Sequence, residues 1–187
     1  MTQAPVRKLA VLLHAGVVGS TALVQANESL AHQRIQACFK NFAGIIESYG
    51  GIAQELRGDA LIAEFERASD AVSAALASQS DQSGFNATLV DQIRATLRIG
   101  IAMGEVVIAD HTITGAGIVV AQRLEQLAQP GGVVIQGAAY ETIPRWLPFD
   151  YQALGEQTLK GFDETVRAFQ VTLQADADMP LPEPPAS

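Results

Sequence analysis

Hydrophobic residues recur along the chain with two spacings, one typical of strands and one typical of helices. The run from Val6 to Val18 is rich in leucine and valine, which predicts a buried central strand. Apolar residues then recur at helical spacing as far as about Tyr49, which predicts one long helix with Ser20 or Thr21 as its N-cap. Gly50-Gly51 is expected to end that helix.

The rest of the chain alternates between strand and helix patterns. Two alternating runs in "GIAQELRGDALIAEF" predict a hairpin with its turn at Gly58-Asp59. An Ala-rich segment predicts a second helix over 68–79, followed by a loop over "SQSDQSGFN". Further strands are expected at 97–108 (a pair or one bent strand), 133–136, 151–159 and 166–173, and further helices at 118–127 and 138–143. This order favours an α+β fold, a ferredoxin-like sandwich with helices packed on an antiparallel-rich sheet.

Length and composition favour a single domain. The chain has 187 residues, 48% of them hydrophobic, which is enough to bury one core. We expect this domain to occupy residues 1–174, because 175–187, "ADADMPLPEPPAS", has the proline-rich acidic composition of a disordered tail or a linker. Cys38 lies among apolar residues of the long helix and is expected to pack as a small hydrophobe.

Charge and cysteine usage argue against several kinds of partner and location. The formal net charge is -8 and the basic residues are scattered, so we expect no nucleic-acid binding. No segment has the roughly 20 continuous apolar residues of a membrane helix, and the N-terminal apolar run breaks at His14, so we expect neither membrane insertion nor a signal peptide. One cysteine permits no intrachain disulfide and no Cys-based zinc cluster, which favours a cytoplasmic location.

Five strings in the chain resemble the catalytic domain of the class III adenylyl and guanylyl cyclases, the cyclase homology domain. They stand in the family's order between about Arg7 and Leu173: "LLHAGVVGST", "GGIAQELRGDALIAEF", "RIGIAMGEVVI", "GAGIVVAQRLEQLAQPGGVVI" and "LGEQTLKGF". The resemblance implies conversion of a nucleoside triphosphate, ATP or GTP, to a 3′,5′-cyclic monophosphate and pyrophosphate at sites shared between two subunits. It therefore implies a homodimer, with Mg²⁺ or Mn²⁺ as the cofactor of the reaction.

The metal ligands that the resemblance implies are only partly present. Asp59 in "RGDAL" matches the family's hairpin aspartate, and the Val17 carbonyl matches its backbone ligand. Gly16 stands where the family has an aspartate on the first strand, and glycine has no side-chain oxygen. Since proteins hold Mg²⁺ with one or two carboxylates plus substrate phosphates, this departure predicts impaired catalysis while some binding is retained.

The implied phosphate contacts are largely kept. The amides of Val18, Gly19 and Ser20, at the expected helix start with Thr21, are predicted to bind phosphate oxygens. Lys160 in "TLKGF" matches a lysine that contacts the triphosphate.

Fewer of the residues that the resemblance implies for contacts to the ribose, the base and the transition state are present. Arg123 matches the arginine that offsets charge developing on the α-phosphate. Val119 replaces an asparagine that orients the ribose, and Ala116 replaces a polar base-selecting residue. Glu55 occupies the other base-reading position, where guanylyl cyclases tend to have glutamate, and slightly favours guanine.

Three hypotheses about function stay open from the sequence. The first is a class III cyclase homologue with weak or absent activity that still binds a nucleoside triphosphate and metal. The second is a nucleotide-free dimerising or regulatory module that kept only the scaffold. The third is an active cyclase in which water or another carboxylate, such as Asp110, replaces the ligand missing at Gly16.

Each site residue also has an ordinary structural interpretation. Asp59 suits a tight hairpin turn, and Arg123 suits a solvated helix on which it pairs with Glu125 or Asp110. Glu55 is equally typical of an ordinary charged residue on an edge strand. A lysine near a strand end, such as Lys160, is by itself more often a surface residue than a phosphate ligand. The histidines show no metal-ligand spacing and are expected to be structural or exposed.

Overall fold

The computed structural model of the chain describes residues 4–57, 59–110 and 112–182, with only the backbone for residues 55–57. In this part of the chain, eight strands and five helices form. The strands are β1 (Val6–Val17), β2 (Ile52–Arg57), β3 (Ala60–Phe65), β4 (Leu97–Ala109), β5 (Thr112–Thr114), β6 (Val133–Gln136), β7 (Phe149–Gln157) and β8 (Val166–Leu173). The helices are α1 (Ser20–Ala26), α2 (Glu28–Ser48), α3 (Ala68–Ala87), α4 (Ala116–Leu127) and α5 (Gly137–Tyr140).

All strands belong to one sheet, in the order β2-β3-β1-β4-β6-β8-β7, with β5 paired to β4. The β4–β6 pair is parallel, and the other neighbouring pairs are antiparallel. The predicted α+β fold with an antiparallel-rich sheet is therefore confirmed. β1 lies between β3 and β4 and is covered on both faces, which explains its continuous apolar run.

Helices cover both faces of the sheet. Residues of β1 alternate between the faces, as successive strand residues must. Leu13 and Ala15 belong to the core shared with α2, α3 and α5, whereas Ala10 and Leu12 belong to the core shared with α4. The segment 97–108, predicted as a strand pair or one bent strand, lies within the single strand β4.

Glycines allow α4 to pack very close to the sheet. A Cβ atom on Gly100 of β4 would lie 2.1 Å from the carbonyl oxygen of Ala121 in α4. At the other end of the helix, a Cβ on Gly104 would lie 3.1 Å from the Cα of Gly117. The backbone of α4 therefore touches β4 where the strand has no side chains.

The predicted single helix after β1 is wrong, because the chain breaks it at Asn27. Asn27 is extended (φ -162°), and its side chain accepts a hydrogen bond from the Leu30 amide at 3.1 Å, so it caps α2. The predicted N-cap is also wrong: Gly19, in the left-handed region at φ 60°, occupies the N-cap position of α1. The hydroxyl of Ser20 bonds to Asp59 instead.

The predicted loop over "SQSDQSGFN" is wrong as well, because α3 continues through it to Ala87. Tertiary hydrogen bonds hold this extension. The side-chain amides of Gln82 and Asn86 each donate to the carbonyl of Ala95 at 2.9 Å. Such contacts outweigh the low helix propensity of the serines.

The hairpin of β2 and β3 forms as predicted, with Asp59 in the turn and Gly58 outside the described residues.

Residues 175–182 lie outside helices and strands, and the hydroxyl of Tyr49 donates to the Pro180 carbonyl at 2.7 Å. The division at residue 174 stays a prediction, and 183–187 lie outside the described residues. No helix in the described ranges is both long and apolar enough for a membrane span.

Candidate functional site

The turn of the β2–β3 hairpin meets the C-terminal end of β1. Gly16 pairs with Ala60, and the Val17 amide donates to the carbonyl of Asp59 at 3.2 Å. The carboxylate of Asp59 is exposed and accepts a hydrogen bond from the Ser20 hydroxyl at 2.6 Å. The structure therefore brings together the hairpin aspartate and the loop between β1 and α1.

The amides predicted to bind phosphate differ in availability. The Val18 amide already donates to the Thr96 carbonyl at 2.8 Å, so it has a partner within the chain. Gly19 is exposed, and a Cβ at this position would meet no atom within 4 Å, so the space beside it is open. Thr21 lies in the first turn of α1 and is exposed. Of the predicted phosphate-binding amides, those of Gly19 and Ser20 remain as candidates.

A buried contact between a histidine and a carboxylate lies beneath Gly16, on the face of the sheet that α4 covers. The Glu125 carboxylate lies 3.3 Å from Nδ1 of His14, and both side chains are at least nine-tenths buried. A Cβ on Gly16 would lie 2.2 Å from Oε1 of Glu125. The space where an aspartate side chain would begin on β1 is therefore filled by a carboxylate from α4.

The sequence interpretation missed Glu125. From the sequence, Glu125 is interpreted as a surface partner of Arg123. His14 is interpreted as an ordinary structural or exposed histidine. The pattern offered one weak signal, since position 125 follows the buried Leu124 on the apolar side of α4. Only the packing of α4 on β1 shows that positions 14, 16 and 125 meet.

Arg123 points away from this buried pair. Residues two positions apart on a helix are separated by about 200°, and Glu125 faces the sheet. Nε of Arg123 donates to the carbonyl of Lys160 at 3.3 Å, so the predicted arginine and lysine are neighbours on the outer side of α4. Ala116 and Val119 are exposed on the same helix. Within one chain, Arg123 and Asp59 thus belong to two separate groups.

A groove of about 760 Å³ opens beside the hairpin, between β2–β3 and α2. Asp59, Leu61, Phe39, Lys40 and His32 are among its lining residues. The cationic side chain of Lys40 on α2 therefore lines the same groove as the exposed Asp59. Glu55 lies on β2, but its side chain is outside the described part of the structure, so its predicted base contact stays a prediction.

Asp110 cannot replace the missing ligand within the same chain. β4 pairs with β1 such that Ile108 lies opposite Val6, whereas Arg98 lies opposite Gly16. Asp110 therefore lies beyond the far end of β1, more than about 30 Å from Gly16 at the usual rise per strand residue. No group of three or more His, Cys, Asp or Glu side chains able to hold a metal occurs among the residues that the structure describes.

Comparisons with known proteins agree with this architecture. A protein of Rhizobium meliloti (strain 1021) named "Putative adenylate cyclase 3" is 31% identical over 164 residues, which cover 86% of this chain and 27% of that protein. An uncharacterized protein of Mycobacterium tuberculosis is 30% identical over 84% of this chain and 60% of its own length. The chain thus spans about a quarter to three fifths of these relatives. No family model matches it.

Solved structures with the same fold cover nearly the whole chain. An adenylate/guanylate cyclase/hydrolase from Silicibacter pomeroyi superposes with a TM-score of 0.82 at 26% identity, covering 90% of this chain and 99% of that one. The adenylyl cyclase CyaB from P. aeruginosa superposes with a TM-score of 0.80 at 22% identity, covering 93% and 98%. The likeness therefore extends over at least nine tenths of the chain.

Proposed function

This chain has the fold of the class III adenylate/guanylate cyclase domains and resembles them in sequence, and from that premise we propose that it binds a nucleoside triphosphate with a divalent cation while its cyclase activity is strongly reduced. One observation carries the proposal. The exposed Asp59 carboxylate lies at the end of β1, whereas Gly16, the neighbouring ligand position, is filled by the buried Glu125.

The residues present fit one divalent ion. Asp59 offers an exposed carboxylate, and Val17 lies directly beside it in the backbone. Mg²⁺ or Mn²⁺ held here would take its other ligands from the triphosphate and water, as Mg²⁺ commonly does. The bound ion would neutralise phosphate charge. Ser20 keeps the carboxylate oriented through its 2.6 Å hydrogen bond.

The residues do not fit a second carboxylate-held ion. Activation of a ribose hydroxyl and stabilisation of pyrophosphate are best served by a pair of ions. Glu125 provides the carboxylate nearest to Gly16, but it is buried and contacts His14. Val119, exposed on α4, also lacks any group that could hydrogen bond to a ribose. Loss of one preorganised donor commonly lowers the rate by about 10² to 10³, so these losses support strongly reduced turnover.

The separation of Asp59 and Arg123 supports a homodimeric site. Arg123 lies on the outer side of α4 beside Lys160, directed away from Gly16 of its own chain. An arginine in this position serves the Asp59 group only if that group belongs to a second copy. We therefore propose that the complete site forms between two chains.

We propose ATP or GTP as the ligand. Among solved structures with the same fold, the catalytic core of a rhodopsin-guanylyl cyclase with converted specificity is in complex with ATPalphaS, and the guanylate cyclase domain of RhGC from Catenaria anguillulae is in complex with GTP. In this chain, Ala116 lacks a polar group for selecting a base, which supports weak discrimination between the two purines.

The test combines a product assay with a binding assay. We expect cyclic AMP and cyclic GMP formation near background with Mg²⁺ or Mn²⁺. We also expect ATP or GTP with Mn²⁺ to raise the unfolding temperature, because a ligand that binds only the folded state stabilises it. Asp59→Asn should abolish that rise, and Asp81→Asn, at an exposed aspartate of α3, should not.

Each contrary result has a defined meaning. Efficient cyclisation that survives Asp59→Asn would refute both the metal assignment and the reduced activity. The absence of any nucleotide-dependent shift in the unaltered chain would favour the dimerising module without nucleotide.

A further inference from the structure

Position 16 differs from the other positions where this chain lacks the family's residue. The space that a side chain on Gly16 would occupy contains the carboxylate of Glu125. An ideal Cβ on Gly16 would lie 2.2 Å from Oε1 and 3.1 Å from the carboxyl carbon of Glu125. Both distances are shorter than ordinary van der Waals contact, which begins near 3.4 Å. Even alanine at this position would therefore collide with the carboxylate.

A flexible side chain can often move aside, but two observations oppose this for Glu125. Its side chain is 10% exposed and its partner His14 is 8% exposed, so the pair is enclosed between α4 and β1. Nδ1 of His14 lies 3.3 Å from Oε1, the same oxygen that a Cβ on Gly16 would strike. Moving Glu125 would thus leave a buried imidazole without its partner, which is costly for a buried polar group.

The backbone around the pair also restricts movement of the helix. Gly100, opposite His14 on β4, lies against the backbone of Ala121 and Glu125. The start of the Glu125 side chain is consequently fixed by close helix-to-strand contact, and only its outer atoms have freedom.

We infer that Glu125, held by His14, blocks position 16, so that the chain cannot regain a carboxylate on β1 by a single substitution. Gly16 and Glu125 therefore form one coupled unit: the small residue on the strand makes room for the acid on the helix. An aspartate introduced at position 16 would meet both the volume and the negative charge of Glu125 in a buried place. The blocking itself does not depend on the proposed function, which enters only in naming the blocked group a metal ligand.

Gly16→Asp provides the direct test, with Gly44→Asp as its matched control. Gly44 lies exposed on α2, and a Cβ there would meet no atom within 4 Å. We expect Gly16→Asp to lower the unfolding temperature, without nucleotide, by about 5 °C or more relative to Gly44→Asp. Equal effects of the two substitutions would overturn the inference, because Glu125 would then be free to move aside.

A second background removes the block. In His14→Leu/Glu125→Ala both partners are replaced, so neither is left buried and unpaired. We expect Gly16→Asp to cost no more than Gly44→Asp in this background, and a cost as large as in the unaltered chain would overturn the inference. In Glu125→Gln, which keeps the volume, the cost should persist, although reduced by loss of the charge; complete relief there would also overturn the steric block.

Mn²⁺ binding then separates the block from the proposed function. With Mn²⁺ alone, isothermal titration should show at least about tenfold tighter binding to the triple variant His14→Leu/Gly16→Asp/Glu125→Ala than to Gly16→Asp alone. Both variants keep Asp59, so the comparison isolates the release of the introduced carboxylate. Equal affinities, with the stability coupling present, would leave the block standing and refute the assignment of this place as a metal site.

Discussion

Gly100 is the position where adding a single methyl group should do most damage to the proposed site. It lies on β4, and a Cβ there would be 2.1 Å from the Ala121 carbonyl oxygen, 2.4 Å from the Glu125 amide nitrogen and 3.0 Å from the Glu125 Cα. All three atoms belong to the backbone of α4. Backbone atoms cannot rotate away as the free end of an unrestrained side chain could, so Gly100→Ala must displace the helix.

The size of the effect follows from the displacement. Ordinary contact begins near 3.4 Å, so the helix must retreat from the sheet by about 1 Å or more. Overpacking of this kind commonly costs about 1–3 kcal/mol. For a chain of this size each kcal/mol lowers the unfolding temperature by about 2–4 °C, which gives an expected fall of about 2–12 °C. Since Arg123 lies on α4, any nucleotide-dependent stabilisation should weaken as well.

Thermal unfolding of Gly100→Ala beside Gly84→Ala tests this reasoning. Gly84 is exposed on α3 with no atom within 4 Å of a Cβ, so alanine there should stabilise the helix by about 0.5–1 kcal/mol. The two substitutions should therefore shift the unfolding temperature in opposite directions. An unfolding temperature for Gly100→Ala equal to or above that of the unaltered chain would refute the close packing of α4 on β4.

Two further predictions concern groups with shifted pKa values. The hydrogen bond from Arg34 lowers the pKa of Asp91, so this pair stabilises the fold above the ordinary pKa of aspartate and the contribution is lost as the pH falls through the lowered value. Unfolding temperatures of the unaltered chain and Asp91→Asn should differ at pH 7 and converge as the pH falls through the lowered pKa of Asp91; parallel curves would contradict the pairing. Burial raises the pKa of Cys38 to about 11, so its thiol should resist a disulfide reagent at pH 8 until the protein unfolds, and rapid labelling of the native chain would contradict its burial.

The strands were predictable because their signal is local. The apolar run of β1 and the alternating runs of the hairpin appear in the structure within one or two residues of the expected bounds. The helix boundaries were less predictable because distant contacts decide them. Asn27 interrupts the predicted long helix because its side chain caps α2. Hydrogen bonds from the side chains of Gln82 and Asn86 to the Ala95 carbonyl stabilise α3 beyond its predicted end.

The candidate site divides in the same way. The resemblance placed Asp59 and the loop after β1 in one site, and the structure brings them into hydrogen-bond contact. It assigned Arg123 to a site shared between two subunits, and within one chain α4 directs that residue away from its own Gly16. Glu125 was missed because nothing in a one-dimensional pattern indicates which strand residue lies beneath a helix residue more than a hundred positions later.

Apart from the break at Asn27 and the short strand β5, the sequence by itself determined the order of strands and helices, the family likeness and the absence of an aspartate at position 16, because these depend on residue identity and on periodicity along the chain. Only the tertiary structure decided that the Glu125 carboxylate occupies the space beside Gly16. The glycines of β1 and β4 let α4 approach the sheet closely enough for Glu125 to contact His14. The physical reason is that packing sets the distances between residues remote in sequence. The effect of having no side chain at position 16 therefore depends on which group packs into that space, here the Glu125 carboxylate.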